Sequence, residues 1–108
     1  MNRPEIVIRP RADWDLDDLI GHFQSVSPSL AQRFIKAVGE TYEFLLRWPL
    51  VGEPWVVSEE RFKGLRSWPI KRFKKYVVCY RPTAVGIEVL RVVRGSRDLE
   101  AMFAGSPQ

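Results

Sequence analysis

The apolar residues of this chain follow two different periods, and the change between them limits the folds open to it. From residue 13 to residue 47 they recur with the spacing of roughly 3.6 residues that marks helices buried on one side. After a loop at Gly52-Glu53-Pro54, they occur in short runs rich in β-branched and aromatic residues. Helices that precede strands in this way are typical of an α+β fold with helices on one face of a sheet.

Two helices are predicted in the first half of the chain. Asp13 is in position to cap the first, and nearby carboxylates such as Asp15 suit the positive end of a helix dipole. Ser27-Pro28 provides a capping hydroxyl followed by a proline at the first helical position, and Trp48-Pro49 ends the second helix. Because few residues join the two helices, we expect an antiparallel helical hairpin.

Four strands are predicted from the β-rich runs, at residues 5–9, 65–70, 76–81 and 87–94. The connections at 71–75 and 82–86 are short enough for hairpins, so the last three strands form an antiparallel meander. The predicted α+β architecture is β-α-α-β-β-β, an N-terminal strand and helical hairpin packed on a small antiparallel sheet. A short C-terminal helix at 98–103, capped by Ser96, completes one domain over residues 1–108.

The net charge of +4 is distributed unevenly along the chain. Residues 1–60 carry 6 basic and 10 acidic side chains, whereas residues 61–108 carry 11 basic and 3 acidic ones. Eight basic residues and no acidic ones lie between residues 61 and 81, namely Arg61, Lys63, Arg66, Lys71, Arg72, Lys74, Lys75 and Arg81. This pattern predicts an anionic partner, either nucleic acid or an acidic protein segment, although lysines that protect a strand edge are an alternative.

Several classes of function lack the residues they need. His22 and Cys79 are the only histidine and cysteine, which excludes the usual zinc clusters, and the scattered glycines form no phosphate-binding loop. We therefore expect no metal and no cofactor. Cys79 lies in an apolar run and is expected to be a buried thiol. The first residues lack the apolar run of a signal peptide or membrane span, so a cytoplasmic location is expected.

Three segments carry a family resemblance: 64–70 (GLRSWPI), 78–82 (VCYRP) and 86–100 (GIEVLRVVRGSRDLE). In sequence, order and spacing they resemble the sheet and C-terminal motifs of ParE-like toxins in the RelE/ParE superfamily, over about residues 5–103. The resemblance implies the fold predicted above and a toxin of a type II toxin–antitoxin system. It also implies a ParD-like or similar antitoxin that neutralises the toxin in a hetero-oligomer, through a flexible C-terminal segment that folds upon it.

The resemblance and the charge pattern together suggest two sets of site residues. Candidates for binding the antitoxin are basic or aromatic: Trp14, Trp68, Lys71, Arg72, Lys74 and Lys75. Candidates for binding the cellular target lie on the sheet and beyond its last strand: Arg66, Arg81, Arg94, Arg97 and Asp98. Core packing is the alternative for each tryptophan, and Arg97 with Asp98 is equally suited to fixing a turn.

The toxic activity stays open between two branches of the superfamily. Ribonuclease members commonly combine Lys or Arg on the sheet with a His, Glu or Tyr near the C-terminus. Here Phe103 stands where many of them have tyrosine, and Arg94 where many ParE-like toxins have histidine, while an always-protonated guanidinium is a poor base. We therefore expect no catalytic residue and a non-catalytic poisoning of DNA gyrase, for which direct nucleic-acid binding is not required. A ribosome-dependent mRNA endonuclease is the alternative, and a non-toxic member that keeps only antitoxin binding and operon autoregulation is the third interpretation.

Overall fold

A computed structural model describes residues 3–56 and 59–95 of the chain. Its elements are β1 (Glu5–Ile8), α1 (Pro10–Val26), α2 (Pro28–Arg47), β2 (Glu53–Pro54), β3 (Arg66–Ile70), β4 (Phe73–Pro82) and β5 (Gly86–Arg94). The predicted α+β class and element order are confirmed, with the two-residue β2 as an addition. The C-terminal helix predicted at 98–103 and its cap Ser96 lie outside the described residues.

The two helices begin at prolines. Ser27 caps α2 as predicted, because its Oγ accepts a hydrogen bond from the Leu30 N–H at 3.0 Å and Pro28 follows at the first helical position. The prediction that Asp13 caps α1 is wrong, since this helix begins at Pro10 directly after β1. Pro10 has a φ suited to a helix and lacks only an N–H that the first turn would leave unpaired, so one residue both ends the strand and opens the helix.

The sheet has the strand order β1-β5-β4-β3-β2. The predicted meander is confirmed, because β3, β4 and β5 pair in antiparallel fashion. The N-terminal strand pairs with β5 in parallel, with Glu5 opposite Gly86 and Ile8 opposite Val89, which makes the sheet mixed. A Cβ atom at residue 86 would collide with the Glu5 carbonyl group, so glycine is required where β1 approaches β5.

The turn between β3 and β4 is shorter than the predicted connection at 71–75. Only Lys71 and Arg72 form it, and Lys74 and Lys75 belong to β4. Arg72 adopts a φ of 66°, the left-handed conformation that the third position of such a turn demands. Thr41 of α2 holds the turn, because its Oγ1 accepts a hydrogen bond from the Lys71 N–H at 3.1 Å. The β3–β4 turn is therefore fastened to the helical hairpin.

Most of the core lies between the helical hairpin and one face of the sheet. Phe34, Leu45, Tyr80 and Val89 are among its fully buried side chains. A smaller cluster on the opposite sheet face comprises Leu65, Val77, Cys79 and Val93. Cys79 is buried as predicted, and this burial raises the pKa of its thiol to about 12.

The conformation of Arg72 gives a test of the β3–β4 turn. An L-residue at a positive φ costs about 1–2 kcal/mol, whereas glycine adopts it without a steric penalty. Arg72→Gly should therefore raise the free energy of unfolding by about 0.5–1 kcal/mol and the melting temperature by roughly 2–6 °C. Arg72→Ala removes the same side chain and keeps the Cβ, so it should give no gain in thermal denaturation; an equal gain in both variants would contradict the explanation.

Candidate functional site

A groove with a volume of about 780 Å³ lies between α2 and β3. Trp68 and Phe44 form its apolar wall, with their rings stacked at a centroid distance of 5.6 Å. Lys71 and Lys74 line the groove from the β3–β4 hairpin, and Arg47 lines it from α2. The structure thus brings together three antitoxin-binding candidates from the sequence, Trp68, Lys71 and Lys74. We call this site the basic groove.

The charged side chains that line the basic groove differ in whether they form ion pairs within the molecule. Lys71 Nζ lies 3.1 Å from Glu40 Oε2, and this hydrogen bond lowers the pKa of the Glu40 carboxyl. Within residues 3–56 and 59–95, Arg47 and Lys74 make no ion pair. Lys75, the next residue of β4, is exposed but does not line the groove. Two cations of the groove remain open to an anionic partner.

A second concavity of about 580 Å³ adjoins the basic groove. Phe44 and Arg47 line both, and the new wall is formed by Trp48, Leu50 and Val51. The Trp48 and Leu50 side chains are 56% and 69% exposed, which is high for large apolar residues that stand side by side. We call this concavity the apolar hollow.

Two side chains of the sheet hold the loop that forms the apolar hollow. Tyr80 Oη donates to the Pro49 carbonyl oxygen at 2.8 Å and accepts from the Gly52 N–H at 2.9 Å. Arg66 Nη1 donates to the carbonyl oxygens of Leu50 and Gly52 at 3.0 and 2.8 Å. Burial raises the pKa of the Tyr80 hydroxyl, so the phenol stays protonated and can donate its hydrogen bond to Pro49. We call these four hydrogen bonds the loop clamp.

Two further target-binding candidates, Arg81 and Arg94, do not line the basic groove. Arg81 Nε is 2.6 Å from Glu88 Oε1, and Arg9 approaches the same carboxylate at 3.5 Å. Arg94 is exposed at the end of β5. Arg97 and Asp98 lie outside the described residues. Arg66 and Arg81 are thus engaged within the molecule, and only Arg94 of the described candidates is exposed.

The tryptophans have different surroundings. Trp14 is 63% exposed on α1, which does not line the basic groove or the apolar hollow. Trp55 packs on the smaller cluster, and its indole N–H donates to Ser67 Oγ at 2.8 Å. Trp48, which the sequence left open between core packing and an interface, lines the apolar hollow, and Trp68 lines the basic groove. Periodicity gave no reason to prefer Trp48, because it follows the last helical residue.

Asp15 has a structural role that the sequence did not reveal. Its carboxylate accepts hydrogen bonds from Arg91 Nε and Nη2 at 2.7 and 3.1 Å, and from the Val92 N–H at 3.0 Å. The pairing of β1 with β5 ends at Val89, so Asp15 supplies the acceptor for β5 where the neighbouring strand has become a helix. This ion pair fastens α1 to the edge of the sheet.

The described residues offer little for proton transfer or metal chemistry. His22 is exposed on α1 with its ring against Phe23, and the Tyr76 ring packs among core aromatics. In the described part of the chain, no three His, Cys, Asp or Glu side chains gather as a metal site would require. None of the helices found there is long and apolar enough to cross a membrane.

Comparison with known proteins gives the family. Residues 6–99 match the family model described as ParE toxin of type II toxin-antitoxin system, parDE. The chain belongs to the ParE toxin family. The ParE fold is also found in a solved structure described as the chromosomal ParDE TA system from P. aeruginosa. That match has a TM-score of 0.69 and 21% sequence identity, and it covers 85% of this chain and 96% of the other. No curated protein matches the chain.

The family assignment confirms the resemblance read from segments 64–70, 78–82 and 86–100. This chain is therefore a ParE toxin of a type II toxin–antitoxin system. The solved structure, at its level of identity, supports the fold alone.

The position of Asp15 predicts a large effect on stability. Asp15→Ala removes the carboxylate that accepts from both the Arg91 guanidinium and the Val92 N–H, so the free energy of unfolding should fall by about 2–4 kcal/mol. Asp17→Ala, two residues along the same helix and exposed, should change stability by less than about 0.5 kcal/mol. Urea denaturation measures both variants, and similar values for the two would exclude the assigned role of Asp15.

Proposed function

We propose that this ParE toxin inhibits growth by binding DNA gyrase, and that a cognate antitoxin neutralises it by occupying the basic groove. The single observation that carries the antitoxin part is the groove itself, where the stacked Trp68 and Phe44 adjoin the open cations Arg47 and Lys74. An acidic, amphipathic segment matches this surface, because its apolar side chains cover the rings while its carboxylates approach the cations. The toxin and its antitoxin then form a hetero-oligomer in the cytoplasm.

The hydrogen bonds that the described arginines form within the molecule favour gyrase over mRNA as the target. A ribonuclease needs a group that removes or donates a proton beside the phosphate it cleaves. Arg66 binds loop carbonyls, Arg81 pairs with Glu88, and the Tyr80 hydroxyl donates a hydrogen bond to the Pro49 carbonyl oxygen. None of these groups is organised for acid–base catalysis. A non-catalytic inhibitor needs only a binding surface, so this arrangement is compatible with gyrase poisoning.

The target assignment can be tested with purified components. The unaltered chain, incubated with DNA gyrase, ATP and supercoiled plasmid, should trap cleaved DNA, and the purified antitoxin should prevent it. Ribosomes programmed with mRNA should yield no cuts that depend on the chain. Cleavage of mRNA in the ribosomal A site would instead establish the endonuclease. Absence of both activities in a chain that still binds antitoxin would identify the non-toxic member.

The groove assignment predicts a difference between two adjacent lysines. Lys74→Glu reverses a charge that lines the groove, so association with an acidic antitoxin should slow by roughly three- to tenfold at low salt and less at high salt. Lys75→Glu makes the same change in net charge at an exposed residue that does not line the groove and should have a smaller effect. Stopped-flow association at several salt concentrations measures both, and equal effects would contradict docking in the groove.

A further inference from the structure

The apolar hollow combines two properties that rarely occur together on a protein surface. Most of its side chains are apolar and exposed, with Trp48, Leu50 and Val51 in one short loop beside Phe44. Its backbone is nevertheless fixed, because three carbonyl oxygens and one N–H of the loop are bound by the loop clamp. Exposed apolar side chains that are grouped in this way mark protein-binding sites.

The loop clamp engages groups that are distant in the sequence. Tyr80 lies 28 residues after Gly52 and 31 after Pro49, and its ring is fully buried in the core. Gly52 is needed for this approach, since a Cβ atom at that position would lie 2.5 Å from Tyr80 Oη. Arg66 adds two bonds from the neighbouring strand. The position of the loop is therefore determined by the core of the molecule, while its side chains contribute little to that core.

We propose that the apolar hollow is the anchor site for an apolar side chain of the antitoxin segment, next to the acidic residues that enter the basic groove. This inference rests on the proposed neutralisation by an antitoxin. Continuity supports it, because Phe44 and Arg47 line both concavities and one segment can therefore contact both. The charges also agree, since Arg47 is the one charged side chain among the described residues that line the hollow, and it suits a carboxylate next to the apolar anchor.

The two concavities then contribute to different steps of binding. Exposed cations act at a distance and mainly raise the association rate, whereas a buried apolar anchor mainly slows dissociation. Tyr80 and Arg66 are positioning residues in this scheme, because they hold the loop in its binding conformation before the partner arrives. A preordered loop loses less conformational entropy on binding, which favours a long-lived complex.

The experiment uses the full chain and a candidate antitoxin, the product of a short reading frame adjoining its gene whose C-terminal part is acidic and amphipathic, with both rate constants measured by surface plasmon resonance. Trp48→Ala and Leu50→Ala should each raise the dissociation rate by about tenfold or more and leave the association rate within about twofold. Ile35→Ala is the matched control, because Ile35 is an exposed apolar residue of α2 that lines neither concavity. It should leave both rates unchanged.

A second variant tests the loop clamp. Tyr80→Phe keeps the ring in the core and removes both hydrogen bonds to the loop, so dissociation should accelerate although no contact residue has changed. Fluorine NMR of the chain labelled with 5-fluorotryptophan supplies a readout that a general loss of stability would not reproduce. In the unaltered chain the Trp48 resonance should shift on complex formation while that of Trp55, which packs on the smaller cluster, stays in place. In Tyr80→Phe the free-state Trp48 resonance should broaden or move.

The outcomes separate this inference from the function on which it rests. If Trp48→Ala and Leu50→Ala dissociate as slowly as the unaltered chain, while Lys74→Glu still slows association, the anchor site is overturned and docking in the groove stands. An unshifted Trp48 resonance in the complex would likewise overturn it. If the unaltered chain forms no complex with that protein, the proposed neutralisation fails, and the anchor site fails with it.

Discussion

The buried hydroxyl of Tyr80 connects the core of this protein to its exterior. Its ring lies within the main core, near the end of β4, the central strand of the sheet, and its hydroxyl contacts the backbone of the loop that follows α2. A phenol buried at this depth needs both a donor and an acceptor, and the loop supplies one of each. Satisfying one buried polar group therefore fixes the loop, and the loop in turn sets the relative positions of α2, β3 and the two concavities between them.

Local signals in the sequence were sufficient for most of the fold. Ser27-Pro28 defined the start of α2, and the alternating runs in the second half defined the meander. Asp13 failed as a cap because a strand-ending proline can also open a helix, and the sequence does not distinguish the two roles at Pro10. The β3–β4 turn was placed too broadly because Phe73 and the lysines after it carry no marked turn signal.

The candidate site was less accessible to sequence reasoning, because its organisation depends on long-range hydrogen bonds. Asp15 and Arg91 are 76 residues apart, and no local pattern joins them. The loop clamp joins side chains of two strands mainly to backbone carbonyl groups. Because every residue has a carbonyl group, the sequence does not indicate which of them are bound. Lys74 and Trp68 were selected by charge and by aromatic character, which are properties of single residues, whereas the apolar hollow emerges only when the loop is folded.

The charge asymmetry of the sequence also needs a structural correction. Arg66, Arg81 and Arg91 contribute to the excess of positive charge in the second half of the chain, yet all three form short hydrogen bonds within the molecule. A guanidinium that donates hydrogen bonds to carbonyl or carboxylate groups within the fold attracts an anionic partner less strongly. The positive surface available for recognition is therefore carried mainly by side chains such as Arg47 and Lys74, one of which comes from the acidic half of the chain.

The hydrogen bond between Thr41 and the backbone of Lys71 bears on the register of the hairpin it holds. From Tyr76 to Tyr80 the side chains of β4 alternate between the two sheet faces, so a slip of one residue would move Val77 from the smaller cluster into the place of Tyr76 or Val78 in the main core. The contact from α2 helps to hold this register at the turn before β4. Holding the register keeps Phe73 against the core aromatics and Lys74, the next residue, in the lining of the basic groove, a placement that composition alone leaves undefined.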